Sequence, residues 1–146
     1  MDFVQRFINA VIEVHPWHVP TVHFPIALTG AGLLLVLLTL WRRSDTLERA
    51  AFCNIALAAV STILAGVTGI RDNLTRFDGD APMAGVKITL ALILFGLTTA
   101  TAIIRWRKPG WLWQRGVGLI YVAAFAVSFL LTLALGFIGG VILYGF

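Results

Sequence analysis

The pattern of hydrophobic and polar positions divides the chain into long apolar segments separated by short polar ones. The apolar segments cover about residues 20–41, 50–70, 86–106 and 116–140. Each of them approaches or exceeds the roughly 20 apolar residues with which an α-helix crosses the hydrocarbon core of a bilayer. The pattern therefore predicts an all-α fold, an integral membrane four-helix bundle that occupies residues 15–146. It leaves no room for a soluble catalytic domain.

Residues 1–14 show a different pattern, in which the apolar positions recur with the period of an α-helix. The apolar positions are Phe3, Val4, Phe7, Ile8, Val11 and Ile12. Polar residues such as Gln5 and Asn9 take the other side. A short amphipathic helix of this kind lies most simply in the membrane interface, and binding to a protein partner is the alternative. The sequence thus predicts an interfacial helix over 1–14, followed by the transmembrane domain.

Composition and charge support a membrane protein and exclude a nucleic-acid-binding one. The 146 residues are 59% hydrophobic and 12% charged, with a net charge of +4. The basic residues flank the apolar segments, and seven of the eleven lie in or beside the first and third connecting loops. Cytoplasmic loops carry such an excess of Lys and Arg. We therefore predict a multi-pass protein of a bacterial inner membrane, with both termini on the periplasmic side.

The candidate chemistry lies at the start of the first span, where all three histidines occur: His15, His18 and His23. His23 is the leading candidate ligand, because ionisable groups within spans are rare and neutral imidazole is a common haem and metal ligand. A histidine that is merely hydrogen-bonded at the interface is the alternative. His18 and His23 are about 140° apart around an ideal helix, so they do not share a face. A copper or zinc site formed by all three histidines would need a kinked backbone.

Other features narrow the function classes. Cys53 is the single cysteine, which excludes a disulfide framework, and we expect it to be a small buried residue. Lys87 begins the third span, where it is either a candidate functional residue or a side chain that simply extends to the surface. No motif of a hydrolase, a metalloprotease or a phosphate-binding loop is present in the sequence. We therefore predict no stand-alone catalytic activity.

Three motifs resemble those of a widespread, uncharacterised bacterial family of four-helix membrane proteins. The family opens with a His-Pro-x-x-Val-His-Phe-Pro motif, and residues 18–25 read His-Val-Pro-Thr-Val-His-Phe-Pro, with the first proline one place late. The family's Gly-x-x-Gly-x-x-Asp resembles residues 66–72, and its closing Gly-Gly-x-x-x-Tyr resembles residues 139–144. The resemblance implies a redox-associated protein, with b-type haem as the suspected cofactor. Many members have a histidine where this chain has Lys87.

Two main functional hypotheses and one minor one follow from these observations. The first is a small membrane subunit of an electron-transfer assembly that ligates a haem or related tetrapyrrole through His23, with His18 and Lys87 as further candidate cofactor-binding residues. The alternative is a cofactor-free accessory or assembly subunit of a larger membrane complex. A proton or quinone site that uses His23 and Asp72 is a third, minor hypothesis. All three hypotheses place the chain in the lipid bilayer. The first two also predict other membrane subunits as partners, and all three are compatible with a homo-oligomer.

Overall fold

The computed structural model describes residues 2–10, 17–114 and 116–144, and this part of the chain is almost entirely helical. Its α-helices are α1 (Phe3–Asn9), α2 (His18–Arg42), α3 (Asp45–Arg76), α4 (Ala84–Arg107) and α5 (Val117–Tyr144). A short 3₁₀ helix, Trp111–Trp113, lies between α4 and α5. The predicted all-α class is confirmed, and α2 to α5 are all long and apolar enough to cross a membrane.

Each long helix extends beyond the apolar segment that predicted it. The largest difference is in α3, whose 32 residues would span about 48 Å, well beyond the ~30 Å hydrocarbon core. Its first turn is stabilised by the Ser44 hydroxyl, which accepts a hydrogen bond from the Leu47 N–H at 3.5 Å. Pro25 lies inside α2.

The four long helices pack in a closed ring of antiparallel neighbours. Helix α2 packs against α3 and α5, and α4 packs against the same two helices. The first turns of α2 and α4 therefore lie at one end of the bundle, together with the last turns of α3 and α5. We call this end, which contains His18, Asp72 and Lys87, the His18 end. The opposite end, which contains Glu48 and Arg105, is the Arg105 end.

Small residues allow the helices to approach closely around a compact core. Val36, Ile55, Leu94 and Phe125 are almost completely buried in it. A Cβ atom at Gly32 would lie 2.9 Å from the Phe125 ring, so α2 and α5 approach each other where this glycine has no side chain. Close contact through small residues is typical of helix packing in membranes.

The outer surface of the long helices is apolar, as a lipid-facing surface should be. Large exposed hydrophobic residues occur on every long helix, among them Leu34, Leu64, Leu92 and Phe137. Cys53 is also exposed, so the expectation that it would be buried is wrong. It lies on the outer side of α3, next to positions that face the core. The chain is thus built as a multi-pass α-helical membrane protein.

Helix α1 contains part of the predicted amphipathic segment and has no buried residue. Phe3, Val4, Phe7 and Ile8 are all exposed, so the apolar side of α1 is not covered by the bundle. Its position in the membrane interface stays a prediction. Residues 11–16, which include His15 and the predicted boundary between the two units, lie outside the described residues.

Candidate functional site

The first turn of α2 is held by a carboxylate from the last part of α3. The backbone N–H of His18 donates a hydrogen bond to Asp72 Oδ2 at 3.1 Å. Asp72 is buried, and its other oxygen, Oδ1, lies 3.5 Å from Arg71 Nη1. A negative charge at a helix N-terminus is favourable because the first N–H groups of a helix lack intrahelical partners. Asp72 therefore fixes where α2 begins relative to α3.

The His18 ring makes a second bond to α3, and this bond defines which ring nitrogen carries hydrogen. His18 Nδ1 lies 2.9 Å from the Ala65 carbonyl oxygen. A carbonyl oxygen only accepts hydrogen bonds, so Nδ1 is the donor. In the neutral ring, Nε2 then keeps its lone pair and can accept a proton or bind a metal. Histidines that bind metals are commonly oriented by such a bond from the other nitrogen.

Gly69 makes room for the His18 ring on the surface of α3. A Cβ atom at this position would lie 3.0 Å from His18 Cε1 and 3.1 Å from Nδ1. One turn away, the hydroxyls of Thr21 and Thr68 lie 2.7 Å apart and join α2 to α3 again. The Gly-x-x-Asp spacing thus has a physical reason, because Gly69 accommodates the ring and Asp72 binds the backbone of the same histidine.

Lys87 reaches the same end of the bundle from α4. Its side chain is half-buried, and its Nζ lies 3.8 Å from the position that a Cβ atom would take at Gly139 of α5. The first turns of α2 and α4 lie at the same end of the bundle, so Lys87 shares the His18 end with the histidine. The structure therefore places three residues that are distant in sequence at one end of the bundle, with His18 and Asp72 in direct contact.

The structure separates His23 from this group. The His23 side chain is exposed, and its Nδ1 donates to the Val19 carbonyl oxygen of its own helix at 2.7 Å. His18 instead bonds to α3, which agrees with the prediction that the two histidines do not share a face. In the described residues no three His, Cys, Asp or Glu side chains are grouped as metal ligands. Whether His15 approaches either histidine lies outside the described residues.

A second polar cluster, at the Arg105 end, was missed by the sequence analysis. Arg105 Nε and Nη2 donate to the two carboxylate oxygens of Glu48, and the Tyr121 hydroxyl donates to Glu48 Oε1 at 3.1 Å. All three side chains are buried. The Tyr121 ring also packs against Trp111 and Phe125, with ring centroids 5.3 Å and 5.0 Å apart.

The signal for this cluster was the spacing along α3. Buried positions recur every three or four residues at Glu48, Ala51, Ile55, Ala58, Thr62 and Ala65. Continued by the same spacing, this series passes through Gly69 and ends at Asp72. One buried face of α3 therefore carries a carboxylate near each end, about 36 Å apart at 1.5 Å per residue.

A cleft of about 200 Å³ opens beside the Glu48 cluster, between the first turns of α3 and the connection from α4 to α5. Both acidic and basic side chains line it, including Asp45, Arg49 and Arg105. Trp113 Nε1 donates to Asp45 Oδ1 at 3.1 Å across its mouth. Because Glu48 and Arg105 already satisfy each other, the cluster is best explained as a connection between α3, α4 and α5.

The fold and the two polar ends define a helical membrane protein of the multi-pass class. A family model described as "Predicted membrane protein (DUF2231)" matches residues 14–146, and the chain belongs to this family. No curated protein and no solved structure matches the chain.

Proposed function

We propose that this protein is a small subunit of an electron-transfer assembly in a bacterial inner membrane, with His18 as an axial ligand of a b-type haem or related tetrapyrrole. The observation that carries the proposal is the bond from His18 Nδ1 to the Ala65 carbonyl oxygen. It sets the ring so that Nε2 can bind a metal. The sequence favoured His23, but the exposed position of His23 makes His18 the better candidate.

At the His18 end, the protein can supply one axial ligand to such a group. In helical bundles, cofactor ligands come from side chains of facing helices. On α4, Lys87 lies at the His18 end, at the position where the resemblance implies a histidine. A lysine nitrogen binds iron only when it is neutral, so we assign His18 as the single protein ligand. When bound, the haem would supply one-electron transfer, and burial and the axial ligand would tune its potential.

The charge distribution supports a periplasmic position for this site. Basic residues of the first and third loops, among them Arg42, Arg43 and Lys108, lie beyond the Arg105 end. Loops rich in Lys and Arg are typical of the cytoplasmic side, so we infer that this end is cytoplasmic. The His18 end then faces the periplasm, within reach of an electron-transfer partner on that side.

The proposal is tested by a dithionite-reduced-minus-oxidised visible spectrum of the protein, purified in mild detergent from its native membrane. We expect a sharp α-band at the b-type position, with near-stoichiometric haem by the pyridine haemochrome assay. A flat spectrum from folded protein, with no extractable haem, would overturn the cofactor assignment.

A cofactor-free accessory subunit is the second candidate, and the exposed apolar side of α1 favours it. Such a surface can dock on another membrane subunit. The test is to purify two variants from the native membrane and to compare the proteins that co-purify with each. Phe7→Glu changes the apolar side of α1, and Gln5→Glu on the polar side is the matched control. Loss of a stoichiometric partner with Phe7→Glu alone supports docking through α1. Equal recovery of partners with both variants argues against it.

A further inference from the structure

The cleft at the Arg105 end is lined by two opposite charges without ionic partners. Glu48 and Arg105 pair with each other, but Asp45 and Arg49 line the cleft as well. Asp45 and Arg49 are four residues apart on α3, a spacing at which opposite charges commonly pair. They form no ion pair with each other, nor with any other charged side chain in residues 2–10, 17–114 and 116–144. The cleft therefore presents one cation and one anion to whatever enters it.

Both groups keep hydrogen-bonding capacity for a ligand. Trp113 Nε1 donates to Asp45 Oδ1 at 3.1 Å, and Asp45 is otherwise exposed. An ionised carboxylate has several acceptor positions on its two oxygens, so a second donor can bind there. Arg49 is also exposed, and its planar guanidinium presents N–H donors in a fork that matches a phosphate group. An ammonium and a phosphate can thus bind at the same time.

Exposed tryptophans indicate that the cleft lies at the depth of the lipid headgroups. Trp41 and Trp106 lie in the last turns of α2 and α4, and Trp113 lines the cleft itself. All three are exposed, and tryptophan is enriched at the membrane–water interface. The volume of about 200 Å³ is smaller than the roughly 300–1,000 Å³ of pockets for drug-sized ligands. The cleft therefore suits a headgroup better than a larger cofactor.

We propose that this cleft binds the headgroup of a zwitterionic phospholipid that carries a primary ammonium, namely phosphatidylethanolamine. Arg49 binds its phosphate, and Asp45 accepts a hydrogen bond from its ammonium. The two residues are about 6 Å apart along the axis of α3, and a short ethylene link joins the phosphate and the ammonium of this lipid. An anionic headgroup would leave the Asp45 charge unmatched. The site is independent of any cofactor at the His18 end.

The test uses the full-length protein in mild detergent, freed of native lipid, with native mass spectrometry to count bound lipids. Phosphatidylethanolamine, phosphatidylcholine and phosphatidylglycerol with the same acyl chains are titrated separately. We expect the first phosphatidylethanolamine to bind wild type about tenfold more tightly than either of the others. The trimethylated nitrogen of phosphatidylcholine has no N–H to donate, and phosphatidylglycerol has no ammonium. Equal affinities for the three lipids, or tightest binding of phosphatidylglycerol, would overturn the assignment without the need for a variant.

Three variants then test the residues. Asp45→Asn keeps an acceptor for Trp113 but loses the charge, so the preference for phosphatidylethanolamine over phosphatidylcholine should disappear. Arg49→Gln should weaken the binding of both lipids about tenfold, because both carry the phosphate. Arg107→Gln is the matched control, since Arg107 is exposed at the same end but does not line the cleft, and it should bind as wild type does. Equal losses in Arg107→Gln and Arg49→Gln would show a general attraction to the basic end and overturn the cleft as the site.

Discussion

Asp72 accepts a hydrogen bond from the backbone N–H of His18 at 3.1 Å, although the two residues are 54 positions apart. The bond joins the first turn of α2 to the last part of α3, which are the two most extensively packed helices of the bundle. The same histidine donates from its ring to the Ala65 carbonyl oxygen, about two turns before Asp72 on α3. His18 is thus held at two points, and its remaining ring nitrogen is left for a ligand.

Removal of the Asp72 carboxylate should loosen this connection. We expect Asp72→Ala to lower the free energy of unfolding by about 1–2 kcal/mol, because the His18 N–H loses its acceptor. Asp72→Asn keeps a side-chain oxygen acceptor and should cost less. Thermal unfolding in detergent, followed by circular dichroism, measures both variants. Wild-type stability in Asp72→Ala would show that the bond has no structural importance.

Gly69 is the position at which a single methyl group should displace the His18 ring. Gly69→Ala places a Cβ atom 3.0 Å from Cε1, and we expect a loss of about 1–3 kcal/mol from overpacking. Gly66→Ala is the matched control on the same helix, since nothing lies within 4 Å of its added Cβ atom. Melting temperatures of the two variants decide the matter. Equal melting temperatures for the two variants would contradict the role assigned to Gly69 in accommodating the His18 ring.

The Glu48 cluster should contribute strongly to the stability of the Arg105 end. Glu48→Ala leaves Arg105 buried without its partner, and breaking a buried pair in this way costs about 3–5 kcal/mol. Asp45→Ala removes an exposed bond to Trp113 and one acidic charge from the first turn of α3, and it should cost about 1 kcal/mol. Chemical unfolding in mixed micelles compares the two variants. Equal losses would contradict the importance assigned to the cluster.

Replacing both members of the pair should be less harmful than replacing one. Glu48→Met combined with Arg105→Met leaves no uncompensated charge, so its loss should be smaller than that of Glu48→Ala. The free energy of unfolding of the double variant is measured in the same way. A double variant that is less stable than Glu48→Ala would show that Glu48, Arg105 and Tyr121 stabilise the bundle by more than compensating one another's buried charges and polar groups.

A hydrogen bond between the Thr29 and Thr132 hydroxyls, 3.0 Å apart, joins α2 to α5 in the core. Thr29→Val keeps the side-chain shape and should cost about 0.6 kcal/mol, the average for such bonds in a membrane protein. Thr98 is the control, because its described hydrogen bonds go only to carbonyl oxygens of its own helix. A double-mutant cycle of Thr29 and Thr132 gives the coupling energy, and a value near zero would contradict an interhelical role.

The sequence predicted the fold well because four long apolar runs in a short chain leave few alternatives. It placed the helix ends less well, because charged residues were taken to end the spans. Glu48, Arg105 and Asp72 are charged, yet each is buried on a helix through partners on other helices. Such partners are distant in sequence, and apolar periodicity does not indicate them.

The same limitation explains the choice between the histidines. His23 lies deeper in the first apolar segment than His18. The sequence therefore favoured His23 as the buried ligand. What separates them is the surface of α3, where Gly69 and the Ala65 carbonyl oxygen accommodate His18 and leave His23 outside. The spacing of Gly69 and Asp72 was visible in the sequence, but its relation to His18 required the packing of α2 on α3.

The most direct test of the account compares His18→Ala with His23→Ala. Each variant and the wild type would be purified from the native membrane, and reduced-minus-oxidised visible spectra recorded at equal protein concentration. His18→Ala keeps the backbone N–H that Asp72 binds, so circular dichroism should report an intact bundle. We predict an α-band in wild type and His23→Ala and its loss in His18→Ala. A band that persists in His18→Ala, or disappears only in His23→Ala, would contradict the assignment of His18 as the ligand.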